Sequence, residues 1–371
     1  ERDIMQFTVS QDIIARPLQL VCSIVERRST LPILSNILLR CQGQQLTMTS
    51  TDMELEMIAT LPVAVDKEGE TTVSARKLLD IVRALPANAT ISFQAEDNKS
   101  LVRAGKSRFS LATLPATDFP DSEGANYLDQ LTVPQSALKD LLDETSFAMA
   151  SQDVRYYLNG LLLEREDNIL RAVATDGHRL ALGSIETAEK ANEKHTVIVP
   201  RKAILELGRL LGDVADDVTL AISPQQLKVE LPDMHFTSKL IDGQFPNYER
   251  VLPVGGDKQV IAERDELKQA LSRASILAND KHRSVKLNLS NNLLKATVTN
   301  QEQESAEEEL AVEYSGPDLE IAFNNAYLLD LLNAIPDNKV KLLFTDENSS
   351  ALITPNDPKF TRQYVVMPMR L

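Results

Sequence analysis

Runs of alternating apolar and polar residues, each leading into a helical pattern, recur along this chain at a regular distance. In the first set a short extended run is followed at once by the start of an amphipathic helix: Phe7–Asp12, Leu131–Ser136 and Val260–Asp265. A second set repeats on the same step of about 125 residues: Thr72–Leu79, Val197–Ile204 and Ile321–Leu328. Since strands alternate and helices repeat every three to four residues, each third of the chain is predicted to hold two strand-then-helix units.

The length of this repeat indicates what kind of repetition it is. Solenoid units run to a few tens of residues and bury little alone, whereas this step matches the size of a complete domain. We therefore predict three domains of like fold, at residues 5–127, 128–256 and 257–371. The turn-rich segments Asp121–Asn126 and Pro253–Asp257 are the expected linkers.

After the first helix of each third, alternating runs are separated by turn residues. These pairs of runs are predicted to be antiparallel hairpins with one buried face: Asn36–Cys41 with Gln45–Ser50, Leu158–Glu164 with Leu170–Thr175, and Ser284–Ser290 with Leu293–Thr299. Each domain would then consist of two β-rich sheets flanking a pair of helices. The predicted fold class is α+β with antiparallel sheets.

Composition adds the nature of the cores and the expected compartment. The 371 residues are 43% apolar but include no tryptophan, so aliphatic side chains must carry the packing. Charges interrupt every long apolar stretch and no leader pattern precedes a cleavage site, so we expect a soluble, cytoplasmic protein. Met5 reads as a native start, and residues 1–4 are expected to be an added remnant. Cys22 and Cys41 are expected to be buried, reduced thiols.

The formal net charge of −15 argues against a nucleic-acid partner, unless the basic residues are gathered on one face. Basic residues do concentrate on or just after the predicted helices: Arg16, Arg27, Arg28, Arg76, Lys77, Arg83, Lys139, Arg201, Lys202, Arg209, Lys268 and Arg273. Acidic residues concentrate in strands and loops: Asp66, Glu68, Glu70, Asp121, Glu123, Asp213, Asp216, Asp217 and the tract Glu302–Glu309. Two interpretations stay open, a shared basic helix face or ordinary amphipathic helices with solvated cations, and periodicity alone favours the second.

Catalytic and metal-binding patterns are weak. The four histidines, His178, His195, His235 and His282, have no metal-ligand spacing, so no metal is expected. Gly105–Ser107 resembles the end of a phosphate-binding loop but lies between strand patterns, and it is interpreted as a strand turn. Asp176–Arg179 could orient an Asp and a His, yet no nucleophile motif accompanies it, and Asp-Gly also suits a hairpin turn. Enzymatic activity is therefore not expected.

Three tracts, Gln152–Gly160, Ala174–Ala181 and Tyr364–Leu371, closely resemble the bacterial β sliding clamp family, the β subunit of DNA polymerase III. The resemblance extends from Met5 to the C-terminus and includes the threefold repeat. It implies a non-enzymatic replication processivity factor without cofactor or metal. It further implies a head-to-tail homodimer that closes into a ring around double-stranded DNA, with paired helices inside and antiparallel sheets outside.

The resemblance also implies three sets of site residues. The partner-peptide groove would comprise Leu158, Thr175, Gly177, His178, Arg179, Leu180, Pro246, Arg250, Val251, Ser350, Val365, Val366, Met367, Pro368, Met369 and Arg370. The DNA-binding residues would be Arg28, Arg83, Gln152, Tyr156, Tyr157, Arg201 and Lys202. The dimer interface would pair Lys77, Lys106, Arg108, Phe109 and Leu111 with Ile276, Leu277, Glu302, Glu304, Glu307 and Glu308.

The partners implied are the replicative DNA polymerase, a clamp loader and other proteins with short Gln/Leu/Phe motifs. A tail with two methionines and a proline would supply an adaptable apolar pocket for such motifs. One residue and one segment depart from the family pattern. They are Glu249, which is expected to change the groove's preference among partners, and Thr354–Lys359. The alternatives are an interaction scaffold that does not encircle DNA and a hydrolase that uses His178.

Overall fold

The computed structural model describes residues 5–122, 124–279, 281 and 283–370. The expected remnant at residues 1–4 lies outside this set, as do Glu123, His282 and Leu371, which entered the arguments from sequence. The chain forms two compact units. The first runs up to Pro134 and includes Ala215–Leu240, and the second comprises Gln135–Val214 and the residues from Ile241 onward.

Within the described residues each third of the chain repeats one order of elements: a strand, a helix, four strands (five in the first third), a helix and three strands. The first third contains β1 Met5–Ser10, α1 Gln11–Cys22, β2 Asn36–Gln42, β3 Gln45–Thr51, β4 Leu55–Pro62, β5 Ala64–Lys67, β6 Gly69–Ser74, α2 Ala75–Ala84, β7 Thr90–Ala95, β8 Lys99–Ala104 and β9 Ser107–Leu114. The second contains β10 Asp129–Pro134, α3 Gln135–Asp143, β11 Gly160–Glu166, β12 Ile169–Thr175, β13 Arg179–Glu186, β14 His195–Pro200, α4 Arg201–Leu210, β15 Asp217–Ile222, β16 Gln226–Leu231 and β17 Met234–Lys239. The last contains β18 Lys258–Glu263, α5 Arg264–Ala274, β19 Ser284–Ser290, β20 Leu293–Thr299, β21 Ser305–Ala311, β22 Leu319–Asn324, α6 Asn325–Ala334, β23 Lys339–Phe344, β24 Ala351–Pro355 and β25 Arg362–Val366.

This repetition confirms the threefold α+β fold predicted from the sequence. Every predicted strand-then-helix unit is present, because β1, β6, β10, β14, β18 and β22 each lead directly into a helix. The three predicted hairpins are the antiparallel pairs β2–β3, β11–β12 and β19–β20. Side chains alternate between buried and partly buried along β1 and β19, as expected of strands with one face toward the core.

The first unit is built on one sheet of thirteen strands, in the order β10-β15-β16-β17-β4-β3-β2-β6-β9-β8-β7-β1-β5. The pairing of β17 with β4 joins strands of the second repeat to those of the first. Helices α1 and α2 pack against each other, and each buries aliphatic side chains, among them Leu18 on α1 and Leu78 on α2. Burial raises the pKa of both thiols to about 12, with Cys41 fully buried and Cys22 partly buried near the α1–α2 contact.

The second unit contains an eight-stranded sheet, β14-β11-β12-β13-β25-β24-β23-β18, and a four-stranded sheet, β21-β20-β19-β22. Strand β13 pairs with β25, so the second repeat is joined to the C-terminal strand of the third. Helices α3 and α4 pack as one pair and α5 and α6 as another. The second repeat thus contributes strands to both units, and the domain boundaries at 127/128 and 256/257 stay predictions.

None of the helices described here combines the length and apolar character needed to span a lipid bilayer.

Candidate functional site

The turn between β12 and β13 forms one end of a cleft in the second unit. The Thr175 hydroxyl donates to the carbonyl oxygen of Arg179 at 2.6 Å, and Asp176 Oδ1 accepts the backbone N–H groups of His178 and Arg179 at 2.9 and 3.1 Å. Gly177 has a φ of +91° in this turn. The tight hairpin turn predicted at Asp-Gly is therefore confirmed.

The cleft itself has a volume of about 370 Å³ and a mostly apolar lining. Its wall residues come from three regions, the β12–β13 hairpin with the loop before β11, the segment after Ile241, and the β24–β25 hairpin: Arg155, Tyr157, Leu158, Thr175, Gly177, His178, Arg179, Leu180, Phe245, Pro246, Tyr248, Val251, Ser350, Val365 and Met367. This volume suits a few side chains of an extended peptide. We refer to it as the groove.

Pairing between β13 and β25 brings the two distant parts of the chain together at the groove. Leu180 lies opposite Val365 in the register, and the Met367 N–H extends the pairing by donating to the His178 carbonyl oxygen at 3.1 Å. Leu180 and Val365 belong to a buried apolar cluster that also includes Leu162 and Val173. Met367 is 49% exposed, so its flexible thioether side chain is available to a ligand.

Arg179 ties the groove turn to helix α6. Its guanidinium contacts Asp330 Oδ2 at 2.7 Å, Asp176 Oδ2 at 3.2 Å and the Phe147 carbonyl oxygen at 3.2 Å. It also lies 4.5 Å from the ring centre of Tyr327, on which the His178 ring stacks. Because these contacts restrain the side chain, Arg179 forms a fixed rim to the groove.

Arg155 is a second cation in the lining of the groove, and its Nη2 donates to the Asp176 carbonyl oxygen at 3.4 Å. Asp153 accepts hydrogen bonds from its Nε at 3.1 Å and its Nη2 at 3.0 Å, and these hydrogen bonds lower the pKa of Asp153. A Cβ added at Gly177 would lie 3.1 Å from this guanidinium. Because Gly177 has no side chain, the Arg155 guanidinium can pack against the backbone of this turn.

Tyr248 connects the groove wall to a buried ionic group. It lies in the 3-10 turn Tyr248–Arg250, and its hydroxyl donates to Glu164 Oε1 at 2.6 Å. The same oxygen is in contact with Arg171 Nη1, and Lys194 Nζ is 3.6 Å from Glu164 Oε2. Burial, together with the hydrogen bond to Glu164, raises the pKa of Tyr248, so the phenol keeps its proton at neutral pH.

Most of the predicted partner-groove residues do line this one cleft. Those that stand outside its lining are Arg250, Val366, Pro368, Met369 and Arg370. Val366 is buried, and the Met369 N–H donates to the Ala322 carbonyl oxygen at 2.8 Å, which fixes the tail.

Four lining residues were missed by the sequence argument or assigned elsewhere. Arg155, Phe245 and Tyr248 were not named for the groove, and Tyr157 was assigned to DNA. Pro246 was predicted for the groove, so the nearby aromatic residues Phe245 and Tyr248 were a usable signal. Glu249 is exposed and lies outside the lining, and Thr354–Lys359 covers the end of β24 and the turn that follows.

The predicted DNA-binding residues divide between the two units. In the first unit, Arg28 is exposed in the loop after α1, and Arg83 is exposed on α2. In the second unit, Gln152, Tyr156 and Tyr157 lie on the loop before β11, and Arg201 and Lys202 begin α4. Arg201 Nη1 reaches the Met149 carbonyl oxygen at 3.3 Å, which links the start of α4 to that loop. Tyr156 is 57% exposed and meets Tyr157 edge-on.

The predicted dimer residues also divide between the units. Lys77 lies on α2, Lys106 in the β8–β9 turn, and Arg108, Phe109 and Leu111 on β9. In the second unit, Ile276 and Leu277 lie in the 3-10 turn after α5, while Glu302 and Glu304 precede β21 and Glu307 and Glu308 lie on it. Ile276 is 77% exposed, and Arg273 Nε contacts Glu308 Oε1 at 2.5 Å.

Among the residues that the structure describes, no group of three or more His, Cys, Asp or Glu side chains could hold a metal ion.

The threefold α+β repeat and the peptide-sized apolar groove define the class of the protein as a DNA clamp. Each third of the chain matches one family model of the DNA polymerase III beta subunit: the N-terminal domain over residues 5–123, the central domain over 132–247 and the C-terminal domain over 249–370.

Relatives agree over the full length of the chain. The Beta sliding clamp of Pseudomonas aeruginosa is 51% identical over 368 residues, covering 99% of this chain and all of that protein. That of Escherichia coli is 48% identical over 368 residues, with the same coverage. A crystal structure of the Pseudomonas aeruginosa DnaN sliding clamp bound to griselimycin matches with a TM-score of 0.95 and 50% identity, covering 99% of this chain and all of that one. The chain belongs to the DNA polymerase III beta subunit family, the β sliding clamps, and is not an enzyme.

Proposed function

We propose that two copies of this chain close head to tail into a ring around duplex DNA, and that the groove tethers the replicative polymerase and other DNA-handling proteins to it. The apolar groove formed by the β12–β13 turn and the C-terminal strand carries this proposal. Its occupants would be short extended segments with a Gln followed by Leu and a terminal Leu or Phe. The aliphatic wall would take the apolar side chains, and Met367 would adapt to different partners.

Two open sheet edges support the head-to-tail joint. Strand β9 pairs with β8 over Ser107–Ala112, but with β6 only at Thr113 and Leu114, so most of its other edge has no partner strand in the described residues. Strand β21 pairs with β20 on one side and is the last strand of its sheet. Unpaired edges template strand addition. Joining β9 of one subunit to β21 of the next would extend a sheet across the subunit boundary.

Charge favours the same pairing. Arg103 and Arg108 lie directly opposite each other on β8 and β9, both exposed, and like charges in that position repel. Strand β21 carries Glu307, Glu308 and Glu309. Because the two edges belong to different ends of the chain and carry opposite charges, they favour a heterologous, head-to-tail contact.

The ring would hold DNA by topology rather than by tight binding. A protein with a net charge of −15 can contact phosphates only where its cations are gathered. Arg201 and Lys202, adjacent at the start of α4, would provide such contacts in the second unit, and Arg83 on α2 would provide another in the first. Weak contacts to the backbone carry no sequence information and permit sliding. Tyr156 and Gln152 would add contacts at the edge of the hole.

Other parts of the proposal follow from this activity. A closed ring has to be opened and placed on DNA, so a clamp loader is an expected partner. Since bacterial DNA is replicated in the cytoplasm, the protein would act there. Exposed ion pairs at the joint would each contribute little, which suits reversible opening.

Fluorescence anisotropy with a labelled Gln-Leu-Ser-Leu-Phe peptide tests the groove. The native protein and the control Met53→Glu, exposed to the same degree outside the groove, are expected to bind saturably, whereas Met367→Glu should not. A folded native protein that fails to bind, or a Met367→Glu variant that binds equally well, would contradict the assignment.

A further inference from the structure

Tyr248 is held in place by two kinds of contact, apolar packing of its ring and hydrogen bonds of its hydroxyl and backbone. Its ring belongs to the apolar cluster with Leu162, Val173 and Val365, while its hydroxyl leaves that cluster and donates to Glu164 Oε1 at 2.6 Å. The backbone of Tyr248 also accepts the Val251 N–H at 3.0 Å. The hydroxyl and the backbone carbonyl of Tyr248 therefore both help to fix the position of Phe245–Val251, which forms one wall of the groove.

Glu164 is an uncommon residue to find beneath an apolar groove. It lies on β11, is 4% exposed, and does not itself line the cleft. A buried carboxylate requires partners, and Glu164 has Arg171 directly opposite it on β12, Lys194 near its second oxygen, and the Tyr248 hydroxyl. Arg171 Nη1 additionally donates to the Tyr248 hydroxyl oxygen at 3.4 Å.

We infer that Glu164 is a positioning residue for peptide binding: through the Tyr248 hydroxyl it sets the position of the Phe245–Val251 wall and so the groove's fit to the terminal apolar side chain of a bound peptide. This inference rests on the proposed function of the groove. If the wall is already ordered in the free protein, less conformational entropy is lost when the peptide binds. Because a hydrogen bond to a charged acceptor is stronger than a neutral one, the carboxylate fixes the wall better than an amide would.

The experiment compares peptide affinity and dissociation rate across a small set of variants. Tyr248→Phe keeps the ring and removes only the hydroxyl, and we expect affinity for Gln-Leu-Ser-Leu-Phe to fall by about fivefold, mainly through faster dissociation. Glu164→Ala should weaken binding at least as much. Glu164→Gln keeps an acceptor oxygen for the phenol and should recover most of the affinity.

The combined variant shows whether Glu164 acts through Tyr248. In the Tyr248→Phe background, Glu164→Ala is expected to have little further effect on dissociation, although it weakens binding on its own. Glu166→Gln is the matched control, because Glu166 Oε2 lies 3.8 Å from the same Arg171 nitrogen and has no bond to Tyr248. Discrimination between peptides that end in Phe and in Leu should change with Tyr248→Phe and remain unchanged with Glu166→Gln.

The two hypotheses fail in different ways. If the native protein does not bind the peptide at all, the proposed function fails. If the native protein binds but Tyr248→Phe and Glu164→Ala bind with unchanged affinity, dissociation rate and end-residue preference, the positioning role is wrong. That holds whether or not these variants unfold at a lower temperature.

Discussion

The hydroxyl of Thr51 and the hydroxyl of Thr175 make the same hydrogen bond in two repeats of the chain. Each donates to the carbonyl oxygen four residues later, at 2.8 Å in the first repeat and 2.6 Å in the second. Asp52 and Asp176, next in sequence, each accept the backbone N–H groups of the residues two and three positions later. The turns that follow Thr51 and Thr175 therefore have the same hydrogen-bonded backbone. Only the turn after Thr175 borders the groove, so the residues that differ between the two turns are of interest.

The change at the third position of the turn is from Met53 to Gly177. Met53 has a φ of +79°, so the backbone of this turn does not by itself require glycine. What differs is the neighbour, because Arg155 lies within 3.1 Å of the site of a Cβ on Gly177. We expect Gly177→Ala to displace Arg155, lower stability by about 1 kcal/mol and weaken peptide binding several-fold.

Gly43→Ala is the control for Gly177→Ala. Gly43 has a φ of +61°, and no atom lies near the site of its Cβ. It should lose similar stability in urea denaturation but bind the labelled peptide as the native protein does. Equal affinity of both variants would mean that Arg155 needs no room at Gly177.

Arg362 and Glu144 form a buried ion pair that holds β25 in place. Arg362 Nε contacts Glu144 Oε2 at 2.7 Å, with only 8% and 18% of the two side chains exposed. Removing one partner leaves an uncompensated charge, so Arg362→Ala is expected to cost about 3 kcal/mol of unfolding free energy. The exposed pair Arg40–Glu70 provides the contrast, since Arg40→Ala should cost less than about 1 kcal/mol.

Urea denaturation of these two variants measures the difference. Replacing both partners, with Arg362→Met and Glu144→Leu, should restore much of the loss, since no buried charge remains. A stability for Arg362→Ala within error of that for Arg40→Ala would contradict the account of this pair.

Cys22 and Cys41 are expected to react slowly while the protein is folded. Burial raises the pKa of each thiol to about 12, and the thiolate is the reactive form. At pH 8 the thiolate fraction should be roughly a thousandfold below that of an ordinary cysteine, rising as the pH approaches 12. Ellman's reagent should label the native protein slowly at pH 8 and the urea-unfolded protein at once. Rapid labelling of two thiols in the folded state would show that the burial is wrong.

Ile276 tests the proposed joint between subunits. It is 77% exposed beside the acidic strand β21, so a subunit interface is the natural cover for it. Ile276→Asp adds like charge and removes apolar area, and light scattering should report a fall from twice the chain mass to the chain mass. Val254→Asp, at a residue 93% exposed, should remain dimeric. A dimer that survives Ile276→Asp at micromolar concentration would count against this joint.

The parts of the fold that depend on local pattern could be predicted from the sequence. The strand-then-helix units, the hairpins and the turn at Asp176–Gly177 follow from alternation and turn chemistry within a few residues. The groove needed more, because Leu180 meets Val365 only through the pairing of β13 with β25. Only the resemblance to a known family brought these segments together.

The missed residues have a common physical reason. Tyr248 and Glu164 are 84 residues apart, and nothing near either one signals that the phenol donates to that carboxylate. In the sequence Arg155 looks like an ordinary surface cation. Its place in the groove lining follows from its hydrogen bonds to Asp153 and from its close approach to Gly177, which only the structure shows. Contacts between side chains far apart in sequence depend on tertiary pairing, which periodicity does not encode.

Retention on circular DNA tests the central claim, that the protein encircles the duplex. The labelled protein is loaded onto a nicked circular plasmid by a bacterial clamp loader with ATP, separated from free protein by gel filtration in high salt, and the plasmid is then cut once. We predict that the protein stays with the circle and is released on linearisation, because a ring slides off a free end. Retention that is unaffected by the cut, or no retention on the circle while the loader hydrolyses ATP, would contradict encirclement and favour a scaffold that never surrounds DNA.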